Sequence, residues 1–498
     1  YEDAINNLRE VVKAHGPEAI GFITSARLTN EDLFVINKFA KSGIGTPNVD
    51  SAQRFDLAGH LPVLELLKGG KADSLDGLLN SDVIVIAGGD IDLQSQVVGN
   101  RIRTAQRFHD AKVIVVNAFK TRLNEIADAS LDCAAGSEIP VFYGLLKEAF
   151  GEKGGFGDIG GSQALLKELE DYSSDAVCEA AQIDRDMFDI ASALLSNKET
   201  ISFVVGTGLP QTHRGLQALK ALANLALAAE AAGKKINWFP LSAAANSWGA
   251  ALMNSGTHVD ASGAKGLSCC EMISAASEGK LKALVVIEED PVSFFPDRKF
   301  VRDALEKLDF LMVVDLFESE TAKDADLLLP STSFMEKEGT FVNMEMVSGK
   351  IRKLIDPVGG SRSAGEIFQG IGRKMKFSLG DGFAWASENA ASIVGEVFND
   401  ENSRVAGKAF FPVSYDSSRE NGKNIFALVV ADTIYNHHYG TAASHVAAVG
   451  KLGKRPELRL NGKDVRRLNM EDEHEIAVVT SKGKLLFSLA SSSDIKEG

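Results

Sequence analysis

Apolar residues along the chain follow two patterns: short continuous runs, and longer stretches with an apolar residue every three or four positions. The runs are typical of buried parallel strands, and the longer stretches have the period of amphipathic helices. A first helix is expected over 3–15, followed by the strand AIGFIT at 19–24. A second helix is expected over 29–41, with Thr29 or Asn30 as its N-cap. This alternation predicts an α/β fold.

Two later parts of the chain repeat a strand–helix–strand pattern. In the first, VIVIA (83–87) and KVIVVN (112–117) flank a stretch of helical period. In the second, KALVVIEEDP (282–291) and FLMVVD (310–315) do the same, and ISFVVGTG (201–208) stands between the two parts as a further strand. These patterns predict parallel βαβ units, in which the crossover is right-handed.

The last part of the chain has a different texture. After residue 424 the segments FALVVAD, PELRLNG, HEIAVVTSKG and KLLFSLAS alternate between apolar and polar positions, with Gly or Asn turns between them. Period-two alternation with regular turns indicates strands. A small C-terminal β-barrel over 424–498 is therefore expected.

Four predicted strand ends carry residues that suit ligand binding, because ligands of open parallel sheets gather beyond the carboxyl ends of the strands. Glycine lets a backbone approach a phosphate closely, although it also ends many strands that bind nothing. None of these turns is a full GxGxxG or Walker loop, so both interpretations stay open. The turns contain Gly88, Gly89 and Asp90; Asn117 to Thr121; Gly206 and Gly208; and Asp290 with Pro291.

Composition narrows the class of protein. The chain has 498 residues, of which 45% are hydrophobic and 24% charged, which is typical of globular proteins of about three domains. Its formal net charge of −15 makes nucleic acid an unfavourable partner, since an acidic surface repels phosphates. No apolar run reaches the roughly 18 residues that a membrane span needs, so no direct span is expected.

The four cysteines are scattered. Cys133, Cys178, Cys269 and Cys270 form no CxxC pair, and so few cysteines suggest a reducing compartment. They also lack the spacing of a four-cysteine iron–sulfur or zinc site. The sequence therefore predicts no metal site built from cysteine.

One long segment resembles a known family. The stretch DFLMVVDLFESETAKDADLLLPSTSFMEKEGTFVNMEMVSGKIRK (309–353) is similar to the signature region of molybdopterin-dependent oxidoreductases, which reads roughly D-x-F-x-T-E-T-A-x-x-A-D-x-x-L-P and then E-x-x-G-T-x-x-N-x-E. SARLTNE near the N-terminus, the GGD and NAFKTR turns, GTGLPQTHRG and EEDP resemble further family segments in the same order. The positions that match the signature are Asp315, Phe317, Glu320, Thr321, Ala322, Ala325, Asp326, Leu329, Pro330, Glu336, Gly339, Thr340, Asn343 and Glu345.

The resemblance implies a multi-domain molybdopterin-oxidoreductase fold of the formate dehydrogenase and DMSO reductase type. It implies a discontinuous α/β domain of residues 1–75 and 231–423, an inserted Rossmann-like domain of residues 76–230, and the C-terminal barrel. In family enzymes these domains surround two pterin guanine dinucleotides that hold molybdenum or tungsten, and an iron–sulfur domain normally precedes them. The resemblance also implies that His437, His438 and Thr441, which open the barrel, face a pterin dinucleotide, although a polar loop explains them equally well.

Several positions depart from the family pattern. The usual Asn-Pro after the second glycine of the first βαβ unit is replaced by Asp90-Ile91, the Asp-Pro-Arg turn by Asn117-Ala118-Phe119, and an arginine pair after Asn-x-Glu by Met346-Val347. Arginine grips phosphate through two parallel hydrogen bonds, which methionine cannot replace. Asp56 aligns with the family's metal-ligand position, but a lone aspartate is a weak metal signal and is more often a surface carboxylate.

These departures make the chain most similar to the molybdopterin-fold part of the large G subunit of bacterial NADH-quinone oxidoreductase. That resemblance implies a platform for electron transfer from NADH to quinone, with no molybdenum cofactor in this fragment and with iron–sulfur clusters only in a missing N-terminal part. Its partners would be the other peripheral-arm subunits, and its location cytoplasmic, on the inner face of the cell membrane.

Two alternatives stay open. The first is a fragment of a formate-dehydrogenase-like catalytic subunit that binds molybdopterin guanine dinucleotide. The second is a plain nucleotide-binding module that uses the glycine turns.

Overall fold

The computed structural model describes residues 1–52, 57, 59–68, 72–151, 156, 159–212, 214–254, 265–379, 384, 386–391, 408–413, 415, 426–431, 445–452, 457–472, 474–480 and 483–497. Its strands are β1 (Ile20–Thr24), β2 (Val49–Ser51), β3 (Val83–Ala87), β4 (Lys112–Asn117), β5 (Ala129–Asp132), β6 (Thr200–Val205), β7 (Lys235–Pro240), β8 (Ala283–Ile287), β9 (Phe310–Asp315), β10 (Leu327–Pro330), β11 (Gly339–Val342), β12 (Ser348–Ile351), β13 (Glu457–Asn461), β14 (Glu475–Thr480) and β15 (Gly483–Ser492).

The α-helices are α1 (Glu2–His15), α2 (Asn30–Lys38), α3 (His60–Lys68), α4 (Asp76–Leu79), α5 (Ile91–Gln94), α6 (Gln96–His109), α7 (Glu138–Phe150), α8 (Ser162–Leu169), α9 (Ser174–Ala181), α10 (Arg185–Asn197), α11 (Gly215–Ala231), α12 (Ser247–Asn254), α13 (Cys269–Ser277), α14 (Pro291–Phe294), α15 (Arg298–Leu305), α16 (Ala364–Lys374), α17 (Ala447–Leu452) and α18 (Gly462–Arg467). Short 3₁₀ turns lie at Pro17–Ala19, Arg122–Ile126 and Ala322–Asp324, and a π turn at Phe39–Ile44.

The chain forms two compact units. Unit 1 consists of Tyr1–Ala58, Ala243–Glu401 and Tyr435–Gly450. Unit 2 consists of Gly59–Ser242, Asn402–Ile434 and Lys451–Gly498. The α/β class and the parallel sheets predicted from the sequence are confirmed, whereas the domain boundaries given above stay a prediction.

Unit 1 is built on a parallel sheet with the strand order β10-β9-β8-β1-β2. Strand β1 is buried along its whole length, so its side chains enter the core on both faces. Phe22 packs on one face with Phe39 and Phe368, while Ile23 belongs to a second apolar cluster that includes Met272 of α13. A sheet covered on both faces explains why its strands are continuous apolar runs.

Unit 2 contains a second parallel sheet, with the strand order β5-β4-β3-β6-β7. Strand β3 pairs with β4 on one side and with β6 on the other, which is the βαβ arrangement expected for VIVIA and KVIVVN. The long helix α11 is buried over most of its length and packs against α7. Its alanines and leucines therefore serve as core residues.

A segment from late in the sequence completes unit 2. Gly160 and Ala409 form a parallel backbone bridge, and the rings of Phe156 and Phe410 lie 5.1 Å apart. Asn224 of α11 donates to the Phe411 carbonyl at 2.9 Å and accepts from the Phe411 N–H at 2.8 Å. Residues 408–413 are thus held by both backbone and side-chain contacts.

The described C-terminal residues of unit 2 form a three-stranded sheet. Strand β15 pairs parallel with β13 and antiparallel with β14. The predicted strand FALVVAD is wrong for its described part, because residues 426–431 are largely exposed and pair with no strand among the described residues. Closure of this region into a barrel stays a prediction. Among the described residues, no helix is long and apolar enough to cross a membrane.

Candidate functional site

The carboxyl ends of the unit 1 strands form an acidic and largely buried edge. Glu288, Glu289 and Asp290 follow β8, and Asp315 ends the neighbouring strand β9. All four are at least 95% buried. Because β8 and β9 are adjacent and parallel, these side chains lie at the same edge of the sheet. Buried carboxylates need partners, and the partners determine what the edge can bind.

Lys337 supplies the main positive charge at this edge. Its Nζ atom donates to Asp32 Oδ2 and to Glu288 Oε1, both at 3.1 Å, and all three side chains are buried. Burial alone would raise the pKa of Asp32, but the Lys337 ammonium holds it below its usual value. Burial raises the pKa of Glu288 despite the same neighbour. Lys337 is therefore a cation that offsets the acidic strand end from within.

Glu288 also has an unusual backbone. Its φ is +52°, in the left-handed region that favours glycine. A glutamate in this conformation costs on the order of 1 kcal/mol.

Asp290 is committed to the local fold. Its carboxylate accepts from the Thr321 hydroxyl at 2.6 Å and from the Thr321 N–H at 3.0 Å, and it caps α14 through the Ser293 N–H. Pro291 occupies the first turn of that helix, where its missing N–H costs nothing. These two predicted site residues therefore act in this structure as a helix start and a loop anchor.

Asp315 is less committed to the local fold than Asp290 is. Its Oδ1 atom accepts from the Leu316 N–H at 2.7 Å. Burial raises its pKa to about 7, although Arg27 opposes this shift. Arg27 also lies 3.9 Å from Glu289 Oε1. This carboxyl group can thus change its protonation near neutral pH.

Several polar atoms near this edge make no hydrogen bond in the structure. They are Nε and Nη2 of Arg27, and the hydroxyls of Ser331 and Thr332, which follow β10. The Ser331 N–H is bonded to the Asp315 carbonyl at 3.0 Å, which places this loop beside Asp315. Buried polar groups without partners are uncommon, and their presence fits a bound polar ligand. Unit 1 therefore offers unused donors and a carboxyl group at its strand ends.

The strand ends of unit 2 are filled by their own loops. Gly88 and Gly89 follow β3 with φ of +77° and +117°, and Gly206 and Gly208 follow β6. A Cβ atom on Gly206 would lie 1.9 Å from the Gly88 carbonyl oxygen. A Cβ atom on Gly88 would lie 2.4 Å from the Cβ of Leu209. These glycines are therefore required where the two turns pack against each other.

Side chains complete this packing. Asn117, the last residue of β4, accepts from the Gly89 N–H at 3.2 Å and donates to the Gly89 carbonyl at 3.3 Å. Gln94 of α5 accepts from the Thr207 N–H at 3.0 Å. Backbone N–H groups that could have bound a phosphate are thus occupied by amide side chains of the same unit.

Asp90 and Thr121 have local capping roles. Asp90 accepts from the Asp92 N–H at 3.1 Å and begins α5, and burial raises its pKa. Thr121 forms a capping box with Asn124, which begins the 3₁₀ turn Arg122–Ile126. The structure therefore brings Gly88, Gly89, Asn117 and the Gly206 turn together, whereas Thr121 bonds within its own turn.

Four predicted site residues, Asp56, His437, His438 and Thr441, lie outside the described residues. Conversely, sequence reasoning did not single out Lys337, Gln94 or the hydroxyls of Ser331 and Thr332. Lys337 lies inside the E-x-x-G signature, but its partners are 49 and 305 positions away. In the described part of the chain, no group of three His, Cys, Asp or Glu side chains is arranged to hold a metal ion.

Two parallel sheets with polar groups at their strand ends define an α/β protein, and ligands of such sheets gather beyond the carboxyl ends of the strands. The family model "Molybdopterin oxidoreductase" matches residues 2–374. The chain belongs to this family.

Relatives in the family include oxidoreductase subunits. The F420-dependent formate dehydrogenase subunit alpha of Methanocaldococcus jannaschii is 26% identical over 565 residues, covering 100% of this chain and 83% of the relative. The NADPH-Fe(3+) oxidoreductase subunit alpha of Geobacter sulfurreducens is 28% identical over 394 residues, covering 73% of this chain but 46% of the relative. Acetylene hydratase from Pelobacter acetylenicus has a similar fold, with a TM-score of 0.75 and 15% identity, over 100% of this chain and 80% of that chain.

The two units differ in how well they fit the pterin dinucleotide that the family implies. At the unit 1 strand ends, Arg27 Nε and the hydroxyls of Ser331 and Thr332 make no hydrogen bond, and Lys337 pairs with one of the acids, Glu288. At the unit 2 strand ends, the glycine turns and amide side chains use the available space and N–H groups. The residues of unit 1 fit such a group, and those of unit 2 do not.

Proposed function

We propose that this chain is the molybdopterin-fold subunit of an oxidoreductase of the formate dehydrogenase type. The observation that carries the proposal is the match of the entire chain to a formate dehydrogenase subunit alpha. The comparisons thus favour the catalytic alternative over the G subunit of NADH-quinone oxidoreductase. A pterin cofactor, when bound, supplies the two-electron redox centre.

The residues of unit 1 have defined tasks in this proposal. The Arg27 guanidinium and the hydroxyls of Ser331 and Thr332 would hold the cofactor by donating hydrogen bonds to its polar atoms. Lys337 pairs with Glu288 and Asp32, and this lowers the negative charge that a phosphate meets at the strand end. Asp315, with a pKa of about 7, holds or releases a proton at its carboxyl group.

The test uses the native complex, purified without oxygen. We expect stoichiometric molybdenum or tungsten by elemental analysis and formate-dependent reduction of a viologen dye. An Asp56→Ala variant should lose the metal and keep its far-UV circular dichroism, because Asp56 aligns with the family's ligand position. An Asp3→Ala variant, which changes an exposed residue of α1, is the control. A native complex with neither metal nor formate activity contradicts the proposal.

A second candidate is the molybdenum-free platform subunit of an NADH-quinone oxidoreductase, working with the other peripheral-arm subunits. The observation that favours it is Glu288, which adds a carboxylate to the already acidic unit 1 strand end in a conformation suited to glycine. Co-purification with NADH-oxidising subunits, without molybdenum or tungsten, is the expected result for this candidate. Formate oxidation by the metal-containing chain excludes it.

A further inference from the structure

The two glycine turns of unit 2 pack against each other at the strand ends, which is the edge where ligands of open parallel sheets gather. The Gly206 turn packs on the Gly88 carbonyl so closely that a single added carbon would lie 1.9 Å from it. On Gly208 the added carbon would lie 3.4 Å from the same oxygen. Both added carbons therefore face the backbone of the neighbouring turn.

The N–H groups of the turns are also in use. Gly206 donates to the Ala87 carbonyl at 2.8 Å, Gly89 to the Asn117 side chain, and Thr207 to the Gln94 side chain. Phosphate binding at a strand end depends on free N–H groups that point at the anion. A ligand would have to displace these internal bonds.

The charge of the region is unfavourable as well. Asp90 and Asp92 follow the first glycine turn, and the nearby Arg103 binds Asp92 with both terminal nitrogens. A guanidinium engaged in this way is not available to a phosphate. Asp90 is half-buried in the same turn, so a phosphate there would meet a carboxyl group.

The neighbouring strand end is covered by the C-terminal residues of the same unit. Phe119 and Ile495 form an antiparallel backbone bridge, and the Lys120 N–H donates to the Asp494 carbonyl at 2.8 Å. Asn461 fixes this tail by donating to the Ile495 carbonyl at 2.8 Å. The turn after β4 therefore pairs with protein backbone.

From these four observations we infer that unit 2 binds no pterin dinucleotide, so that the chain carries at most one, at the strand ends of unit 1. The family resemblance implies two. The inference deepens the proposed function, but it stands whether or not formate is the substrate, because it concerns only the packing of unit 2.

The first test counts guanine in the purified native complex. Hydrolysis releases guanosine monophosphate from each pterin guanine dinucleotide, and its amount per chain is measured by chromatography. We expect one guanosine monophosphate per chain if the proposed function holds and none if it fails. Both results agree with the inference that unit 2 binds no pterin dinucleotide. Two per chain would overturn the inference while leaving the proposed function intact.

The second test examines the closed turns directly. Gly206→Ala should lower the midpoint of thermal unfolding by several degrees, because its Cβ would collide with the Gly88 carbonyl. Gly462→Ala is the matched control in the same unit, since its nearest atom is a flexible arginine end 3.8 Å away. Slow hydrogen exchange is expected at the N–H groups of Gly89 and Thr207. An unchanged midpoint together with fast exchange would contradict the inference.

Discussion

At the residue scale, the main feature is one buried lysine that serves two carboxylates. Lys337 joins Asp32 of α2 and Glu288 after β8, which are remote from each other in sequence. Removing one member of a buried charged group leaves the others uncompensated, which costs far more than the group itself contributes. The group of Lys337, Asp32 and Glu288, called the Lys337 triad below, therefore determines the stability of the acidic edge of unit 1.

We predict that Lys337→Met lowers the free energy of unfolding by about 3–5 kcal/mol, since it leaves two buried carboxylates without their cation. Urea denaturation, followed by circular dichroism, measures this change. Lys353→Met is the control, because Lys353 pairs with the exposed Asp356, and such surface pairs are worth about 1 kcal/mol or less. Equal effects of the two substitutions would show that the Lys337 triad does not stabilise unit 1.

Asp315 predicts a pH dependence of stability. Its pKa is about 7 in the folded protein and about 3.9 in an unfolded chain. Because the folded-state pKa is raised, the stabilising contribution is fully present below about pH 4 and is lost as the pH rises to about 7. The loss is on the order of 4 kcal/mol, at about 1.4 kcal/mol per pKa unit.

The Asp315→Asn variant should not show this part of the pH dependence. We expect its stability, relative to the wild type, to rise between pH 4 and pH 8 in urea denaturation series. The exposed Asp3→Asn variant should run parallel to the wild type. Parallel curves for Asp315→Asn would mean that the Asp315 carboxyl is not desolvated.

The sequence predicted which strand ends are polar, but not how their side chains pair. Asp290 and Asn117 were identified because they follow apolar runs, which is a local signal. The bond from Lys337 to Asp32 spans 305 positions and follows from the tertiary fold alone. The same holds for Gln94, whose bond to Thr207 spans 113 positions.

At the element scale, the buried strands were the most predictable parts. VIVIA, KVIVVN and FLMVVD occupy β3, β4 and β9 at the predicted residues. Continuous apolar runs between polar turns are unambiguous when both faces of a sheet are covered. The N-cap Thr29 is also confirmed, in a capping box with Asp32. FALVVAD was predicted as a strand from its residue types, but β-propensity alone does not form a strand where no partner strand is present.

One element-scale prediction concerns Asn224, which holds residues 408–413 through two hydrogen bonds to Phe411. Asn224→Ala should lower the free energy of unfolding by about 1–3 kcal/mol, because it leaves the partly buried N–H and C=O of Phe411 without their partner. Hydrogen exchange at 408–413 should become faster. Asn80→Ala, which removes one exposed bond within its own turn, is the control. Unaltered hydrogen exchange at 408–413 would show that Asn224 does not hold these residues in place.

At the scale of the whole molecule, family membership was predictable and the finer identity was not. The signature around Asp315 and Glu336 led to the molybdopterin oxidoreductases, and the family model confirms it over residues 2–374. The departures at Asp90 and Met346 pointed to a molybdenum-free subunit, whereas the relatives reported above favour the formate dehydrogenase type. Substitutions in a binding loop change charge locally, but their effect on binding depends on neighbours that a sequence does not reveal.

The net charge of −15 gives a prediction for the whole molecule. We expect no saturable binding of a 20-base-pair DNA duplex at 50 mM salt, because the acidic chain repels the phosphate backbone. Fluorescence anisotropy with a labelled duplex measures this, and a basic DNA-binding protein serves as the positive control. Binding that weakens as salt increases would reveal a cationic surface that the formal charge does not show.

The contacts of residues 408–413 determine which segments of the chain can be exchanged between related proteins. Unit 2 appears in the sequence as one long stretch, Gly59–Ser242, yet Ala409, Phe410 and Phe411 complete it from more than 150 positions further on. A chimera that exchanges only the long stretch between relatives would separate Asn224 and Phe156 from the backbone and ring that match them. Recombination between relatives therefore has to move the segment around 408–413 together with the long stretch, although the two are far apart in the sequence.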